Sequence, residues 1–421
     1  MKKTTFSKYA IDNASILYLS LIRKDHTNTY RFTMTLTEDI CPDTLQTAVD
    51  RVYRRFPTVI AGFCPGFFHY FQVPAKTPPQ VQPDPGCLIT MSREEIRNCA
   101  YRVYYDGKKI AIEAFHALTD GYGAIASFTT LVAEYLRLKY GVHIPVTDTL
   151  VDIEQSPMLN ELADSYLDYE TGNPLHLPSR YAYQLPGGNS QRDAVRISAR
   201  TVATHALLDA AHRHGVSITA LLSSVMATSV MEVQQRYHQT DRAKPVRIMV
   251  PVDLRRMFPS RTLRNFILYA LPTMEPQDCE KPLSELVRSF AKQMHSQIER
   301  NRLASIMAYN VKTQHSWIFQ MIPLAMKCAL MRLIYRFFGE SNSSVTVTNL
   351  GNVNLPEEMR GFVEGIEVIL TPRVRSPYNC AVISYNGMLS INISRFPQKT
   401  ELEEIFFRNL NAVLSSEAAA V

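Results

Sequence analysis

The chain has 421 residues, 46% of them hydrophobic and 20% charged, with a formal net charge of +6. That length suits two domains or one large double-lobed unit, and that balance suits a globular protein with a sizeable core. The basic residues are scattered without any long block, which excludes a polybasic nucleic-acid arm and leaves at most a mild preference for anionic ligands.

The seven cysteines (Cys41, Cys64, Cys87, Cys99, Cys279, Cys328 and Cys380) are odd in number and never in C-x-x-C spacing. This argues against a disulfide framework and against a structural zinc site, and no H-E-x-x-H pattern offers another metal site. Met1-Lys2-Lys3-Thr4-Thr5-Phe6 has no apolar run behind its charges, so a cytoplasmic location is expected.

In chain order, alternating Phe32, Met34 and Leu36 predict a strand over Tyr30–Leu36. Leu45, Ala48, Val49 and Val52 predict a helix over Pro42–Phe56, and Pro78–Pro85 reads as an extended loop. Tyr101–Tyr105 and Lys109–Phe115 form a hairpin across Asp106-Gly107. A helix follows Gly123, with Ile125, Phe128, Leu131, Val132, Tyr135 and Leu136 at helical spacing and Gly141 closing it. Residues 170–196 are rich in Pro, Gly, Asn and Ser, and the linker is placed at 186–196.

The second half repeats the mixture. Thr201–His214 reads as a helix ending at Gly215, and Ser217 caps the next one. Arg247–Val252 reads as a strand; helical patterns run over Leu283–Asn310 and Trp317–Phe338. The latter is apolar, but Gln320, Pro323, Lys327, Arg332 and Arg336 rule against a membrane span; an amphipathic helix packed on the protein is expected, with a helix lying on a membrane surface as the minor alternative. Ser344–Asn349 is β-rich, and Tyr378–Tyr385 and Met388–Phe396 form a hairpin across Asn386-Gly387. Thr400-x-x-Glu403 reads as a capping box.

His116-Ala117-Leu118-Thr119-Asp120-Gly121 fits H-x-x-x-D-G, where a strand runs into a helix. By parity His116 falls on the same face as Ile110, Ile112 and Ala114, so the imidazole points inward. A base serving a bound hydroxyl or amine fits that setting, and so does a core histidine beside a turn aspartate. His212 and His214 end a helix, where the helix dipole suffices to explain them.

With Pro251-Val252-Asp253-Leu254-Arg255, Leu263-Arg264-Asn265-Phe266 and Val347-Thr348-Asn349-Leu350-Gly351 following in order, the chain resembles the CoA-dependent acyltransferase superfamily. That group includes chloramphenicol acetyltransferase, alcohol acetyltransferases and the condensation domains of peptide synthetases. Ile11-Asp12-Asn13-Ala14 and Arg55-Phe56-Pro57 resemble its bacterial alcohol acetyltransferase branch. The resemblance implies an α/β (α+β) fold of two chloramphenicol-acetyltransferase-like lobes, each a mixed sheet with helices, enclosing a channel. The lobes would be residues 1–185 and 197–421. It also implies direct transfer of an acyl group, expected to be acetyl, from a CoA thioester to an alcohol.

By the same resemblance His116 would be the general base, Asp120 a structural buttress paired with Arg255, and Gly121 the residue that frees the turn. Thr348 and Asn349 are oxyanion or channel candidates, although Asn349 shaping a turn with Gly351 fits as well. Acyl-CoA, expected to be acetyl-CoA, enters as co-substrate, with no permanently bound cofactor and no metal. The acceptor is a small molecule, an apolar alcohol being compatible; nucleic acid and a spanning segment are not expected, and a monomer is compatible. Condensation domains carry a second histidine where this chain has Phe115, and the D-F-G-W-G stretch of plant acyltransferases is absent. These departures favour a stand-alone enzyme over an amide-forming condensation module with a carrier-protein donor. A non-catalytic binding protein is the remaining alternative; a hydrolase lacks its G-x-S-x-G elbow.

Overall fold

The computed structural model describes residues 8–23, 28–147, 149–169, 173–176, 180–186, 195–237, 244–335, 339–373, 376–396 and 400–415. The expected linker at 186–196 lies mostly outside these. The first half comprises β1 (Tyr9–Ala10), α1 (Asn13–Ser20), β2 (Thr29–Leu36), α2 (Pro42–Val52), β3 (Ala61–Pro65), β4 (Tyr70–Pro74), β5 (Val81–Pro83), α3 (Arg93–Asn98), β6 (Tyr101–Asp106), β7 (Lys109–Phe115), α4 (Gly121–Tyr140) and α5 (Leu159–Leu162). The second begins with β8 (Arg196–Ala203), α6 (Thr204–His214), α7 (Ile218–Tyr237), β9 (Val246–Asp253), β10 (Ile267–Ala270) and β11 (Thr273–Met274). Then come α8 (Leu283–Gln297), α9 (Arg300–His315), α10 (Trp317–Met321), α11 (Leu324–Ile334), β12 (Val345–Asn352), α12 (Glu357–Arg360), β13 (Val363–Leu370), β14 (Tyr378–Tyr385), β15 (Met388–Arg395) and α13 (Glu401–Ser415).

Two large mixed sheets organise the molecule. One has the order β13-β2-β7-β6-β5 and the other β10-β9-β12-β14-β15-β8, with β11 beside β9 and a small sheet β1-β4-β3 apart. The two larger hydrophobic clusters gather on them: Ile110, Ile112, Phe128 and Leu136 belong to the first, and Val225, Ile248, Val347 and Ile391 to the second. One strand breaks the symmetry. β13 comes from the second half of the chain but pairs antiparallel with β2, Val368 opposite Phe32, and so closes the edge of the first sheet.

Local chemistry accounts for most boundaries. Asn386 and Gly387, at φ +48° and +74°, make the primed turn that the dipeptide predicts, and Tyr385 faces Met388 across it. Ser217 Oγ accepts from the Ala220 amide at 3.2 Å, capping α7.

Several expectations are corrected. Thr201–Ala203 belongs to β8, an edge strand whose exposed polar residues hide its periodicity, so α6 starts only at Thr204. The extended loop holds β5, and α2 gives way to a 3₁₀ turn at Tyr53–Arg55. The pattern over Leu283–Asn310 is two helices broken between Gln297 and Arg300. The Trp317–Phe338 pattern breaks at Pro323, which lacks the amide that helix continuation needs; residues 336–338 lie outside the described set. Only part of that pair packs inward, and Trp317, Ile318, Met321, Met326, Leu330 and Leu333 are exposed. Glu403 does not close a capping box: it meets Arg395 at 3.0 Å and accepts from Ser198 at 3.2 Å. Among the described residues no single helix is long and apolar enough to cross a membrane.

Candidate active site

The site grows from the end of β7. Phe115 is the last strand residue, and the His116 amide donates to the Asn28 carbonyl at 2.8 Å, holding the turn against the start of β2. The His116 imidazole lies between two tyrosines. Tyr18 of α1 stacks on it at 4.6 Å between centroids, and Tyr30 of β2 meets it edge-on at 5.1 Å. Burial pushes its pKa below the ordinary imidazole range, outweighing the opposite pulls of its own backbone carbonyl, Asp120, Asn265 and Asp12.

The ring nitrogen Nδ1 is sealed from solvent and has no hydrogen-bond partner of good geometry among the described residues. The side-chain oxygen of Asn265 is likewise buried without one, and it acts on the ring as an acceptor. The ring is thus neutral at neutral pH. With Nδ1 sealed, Nε2 is the nitrogen left to meet a substrate.

Asp120 serves the backbone. It caps α4, which begins at Gly121 and not after Gly123, with Oδ1 accepting from the amides of Tyr122 (3.1 Å) and Gly123 (3.4 Å). Its Oδ2 accepts from the Phe266 amide and from Arg255 Nη1, both at 2.8 Å. Both side chains of this ion pair are nearly inaccessible. Arg255 also meets Asp253 at 3.0 Å and donates to the carbonyls of Thr262 and Arg264. Burial pulls its pKa down, and Asp120 and Asp253 more than offset that pull. Asp120 therefore ties the start of α4 to the segment after β9, across the two halves of the chain.

The motif glycines make this approach possible. A Cβ on Gly121 would overlap the Leu350 side chain at the end of β12. One on Gly123 would overlap the Leu263 carbonyl and Thr119 Oγ1, which itself donates to that carbonyl at 2.5 Å.

A second support was not visible in the sequence. Asp12 caps α1 through Ser15, with Oδ1 accepting from its amide at 2.8 Å and facing its hydroxyl at 2.7 Å. Ser15 Oγ also lies 2.7 Å from the Ala117 carbonyl, inside the motif turn, and Arg264 Nη2 stands 3.7 Å from Asp12. The segments Ile11–Ala14 and Leu263–Phe266 thus converge on the His116 turn. Their resemblance flagged them; nothing in their spacing announced the contact. Tyr18 and Tyr30 carried no sequence signal beyond ordinary helix and strand positions.

Asn349 and Thr348 divide. The Asn349 amide nitrogen donates to Thr219 Oγ1 at 3.0 Å, and its oxygen accepts from the Gly351 amide at 2.9 Å, where Gly351 sits at φ +80°. That is a turn-shaping side chain with both ends occupied. Thr348 lies on the face of β12 opposite the core residues Val345 and Val347. Among the described residues no His, Cys, Asp and Glu cluster could hold a metal.

No protein-family model matches the sequence, and no curated protein matches it. Solved structures do resemble it along nearly the whole chain. One is polyketide synthase associated protein 5 from Mycobacterium tuberculosis, at 13% identity and TM-score 0.61, covering 98% of this chain and 100% of that one. Another is F. graminearum TRI101 complexed with coenzyme A and deoxynivalenol, at 12% and 0.62, covering 96% and 97%. A third is the epimerization domain from the third module of tyrocidine synthetase B, at 12% and 0.57, covering 99% and 98%. The chain thus shares the fold of these proteins.

Proposed function

We propose that the protein is an acyltransferase that moves an acyl group, acetyl in the simplest case, from a CoA thioester directly to an alcohol. The observation that carries this reading is His116: a neutral, aromatic-flanked imidazole with one nitrogen sealed, on a turn clamped by Asp120 and Arg255. A base needs that protonation state, and a rigid turn holds it where a hydroxyl can meet it. That a similarly folded protein is complexed with coenzyme A supports a CoA thioester as donor.

In this reading Nε2 of His116 takes the acceptor's hydroxyl proton as its oxygen bonds to the thioester carbon. The tetrahedral oxyanion collapses, the C–S bond breaks, and the imidazolium returns the proton to the departing thiolate. Thr348, whose hydroxyl has no hydrogen bond among the described residues, is the better oxyanion donor of the two candidates; Asn349 already commits its oxygen to Gly351 and one amide hydrogen to Thr219. Asp120, paired with Arg255, positions the turn and is no proton relay in this reading.

Release of free CoA from acetyl-CoA, with a panel of alcohols and amines, tests the reading. Turnover with alcohols that vanishes in His116→Ala is the expected result. Equal rates in that variant, or silence with every acyl-CoA and acceptor tried, would overturn it.

A further inference from the structure

The face of the C-terminal sheet turned away from its own core carries two guanidinium groups that form no ion pair with a carboxylate among the described residues. Val246, Ile248 and Val250 of β9 enter the core, so Arg247 and Met249 point the other way. Thr346 pairs with Met249 and Tyr269 with Pro251, which puts both on the face of Arg247. Arg247 is buried, and its Nη1 donates to the Arg180 carbonyl at 3.0 Å and to the Asn342 side-chain oxygen. Arg373, just past β13, donates from Nη2 to Ser343 Oγ at 2.8 Å and Thr346 Oγ1 at 3.2 Å. Its Nη1 stands 3.5 Å from the Tyr335 hydroxyl.

Every one of those acceptors is uncharged, and the Nε of each arginine is buried without a partner. Glu275, whose charge reaches Arg247, is itself held by Arg180 at 2.6 and 2.8 Å. A guanidinium offers five donors, and a buried charge ordinarily has a counter-charge. Both guanidiniums pull down the Tyr269 hydroxyl that burial pushes up, while Tyr269 as a whole residue is 42% exposed, so the cluster sits under a side chain that reaches the surface.

The cluster also adjoins the base. Two residues before Arg373, Thr371 bonds to Thr29 through its amide (2.9 Å) and its hydroxyl (2.7 Å), and Thr29 pairs with Phe115 next to His116. The charge of Arg373 reaches the hydroxyl of Tyr18, the ring stacked on His116.

We propose that Arg373 and Arg247 form a carboxylate subsite beside the reacting centre, so that one substrate carries a carboxylate besides its reacting group. The carboxylate belongs either to the acceptor, a hydroxy acid, or to the acyl chain of a dicarboxylic thioester. The phosphates of CoA fit less well, because the long pantetheine arm separates them from the thioester. The proposal rests on the acyl-transfer reading for what the subsite orients, but binding alone tests it.

Equilibrium binding to the full chain compares hydroxyhexanoate with hexanol, and succinyl-CoA with acetyl-CoA. The expected result is a preference of about ten- to a hundredfold for the carboxylate member of one pair, lost in Arg373→Gln and reduced in Arg247→Gln. The first pair marks the acceptor as the source and the second the acyl chain. Absence of preference in both pairs overturns the proposal, as does a preference that survives in both folded variants. If Arg373→Gln weakens CoA as much as succinyl-CoA, the arginines serve phosphates and the proposal is wrong. Should Arg373→Gln fail to fold, Arg247→Gln and the native chain decide. Absence of turnover with every thioester would sink the acyl-transfer reading and leave the binding result standing.

Discussion

At the scale of single residues, two buried charges and one buried neutral ring decide the behaviour of the site. His116→Ala is expected to lower transfer by about 10²–10⁴-fold, read as CoA release, with an unchanged circular dichroism spectrum. Its depressed pKa gives a direction for pH as well. The acid limb of kcat/KM should have its midpoint below the imidazole's ordinary 6.5, because the ring stays unprotonated to lower pH. The sign for stability follows from linkage: the unfolded chain protonates this ring first. Its contribution is therefore full above the unfolded pKa and is lost as pH falls toward the folded one, which urea midpoints at descending pH would report. Arg255→Ala leaves the Asp120 carboxylate buried without its cation and should cost about 3–5 kcal/mol in chemical denaturation. The His116, Asp120 and Arg255 set was legible from motif and order, since each residue sits in a recognisable short stretch. Tyr18, Tyr30 and Asp12 were not, because their roles come from long-range packing that neither period nor spacing encodes.

Elements show the same division between what is local and what is not. Both hairpins and α4 could be read from dipeptides and apolar spacing, whose causes lie within a few residues. The edge strands β5 and β8 escaped because an edge exposes polar side chains and carries little alternation. At the start of α4 the packing makes a sharper prediction. Gly121→Ala and Gly123→Ala should both lower the melting temperature, with a cost of about 1–3 kcal/mol for overpacking. Leu350→Ala should recover much of the first loss, since the obstructing atoms belong to that side chain. No side-chain substitution should recover the second, where a backbone carbonyl stands in the way. Thermal denaturation of the single and double variants measures both outcomes.

For the whole molecule the decisive element is β13, which no local signal connects to β2. Its pairing makes each half of the chain incomplete: residues 1–185 alone expose the β2 edge, and residues 197–421 alone carry an orphan strand. Expressed separately, the halves should be insoluble or lack cooperative unfolding, and co-expression should restore one transition by calorimetry. Asp120 with Arg255 and Thr371 with Thr29 add further ties between the same two parts. Two halves stitched by a shared sheet edge, an ion pair and a threonine pair cannot swing apart as a clamshell; in the acyl-transfer reading, acceptor and thioester would reach His116 without any rigid-body parting of the halves.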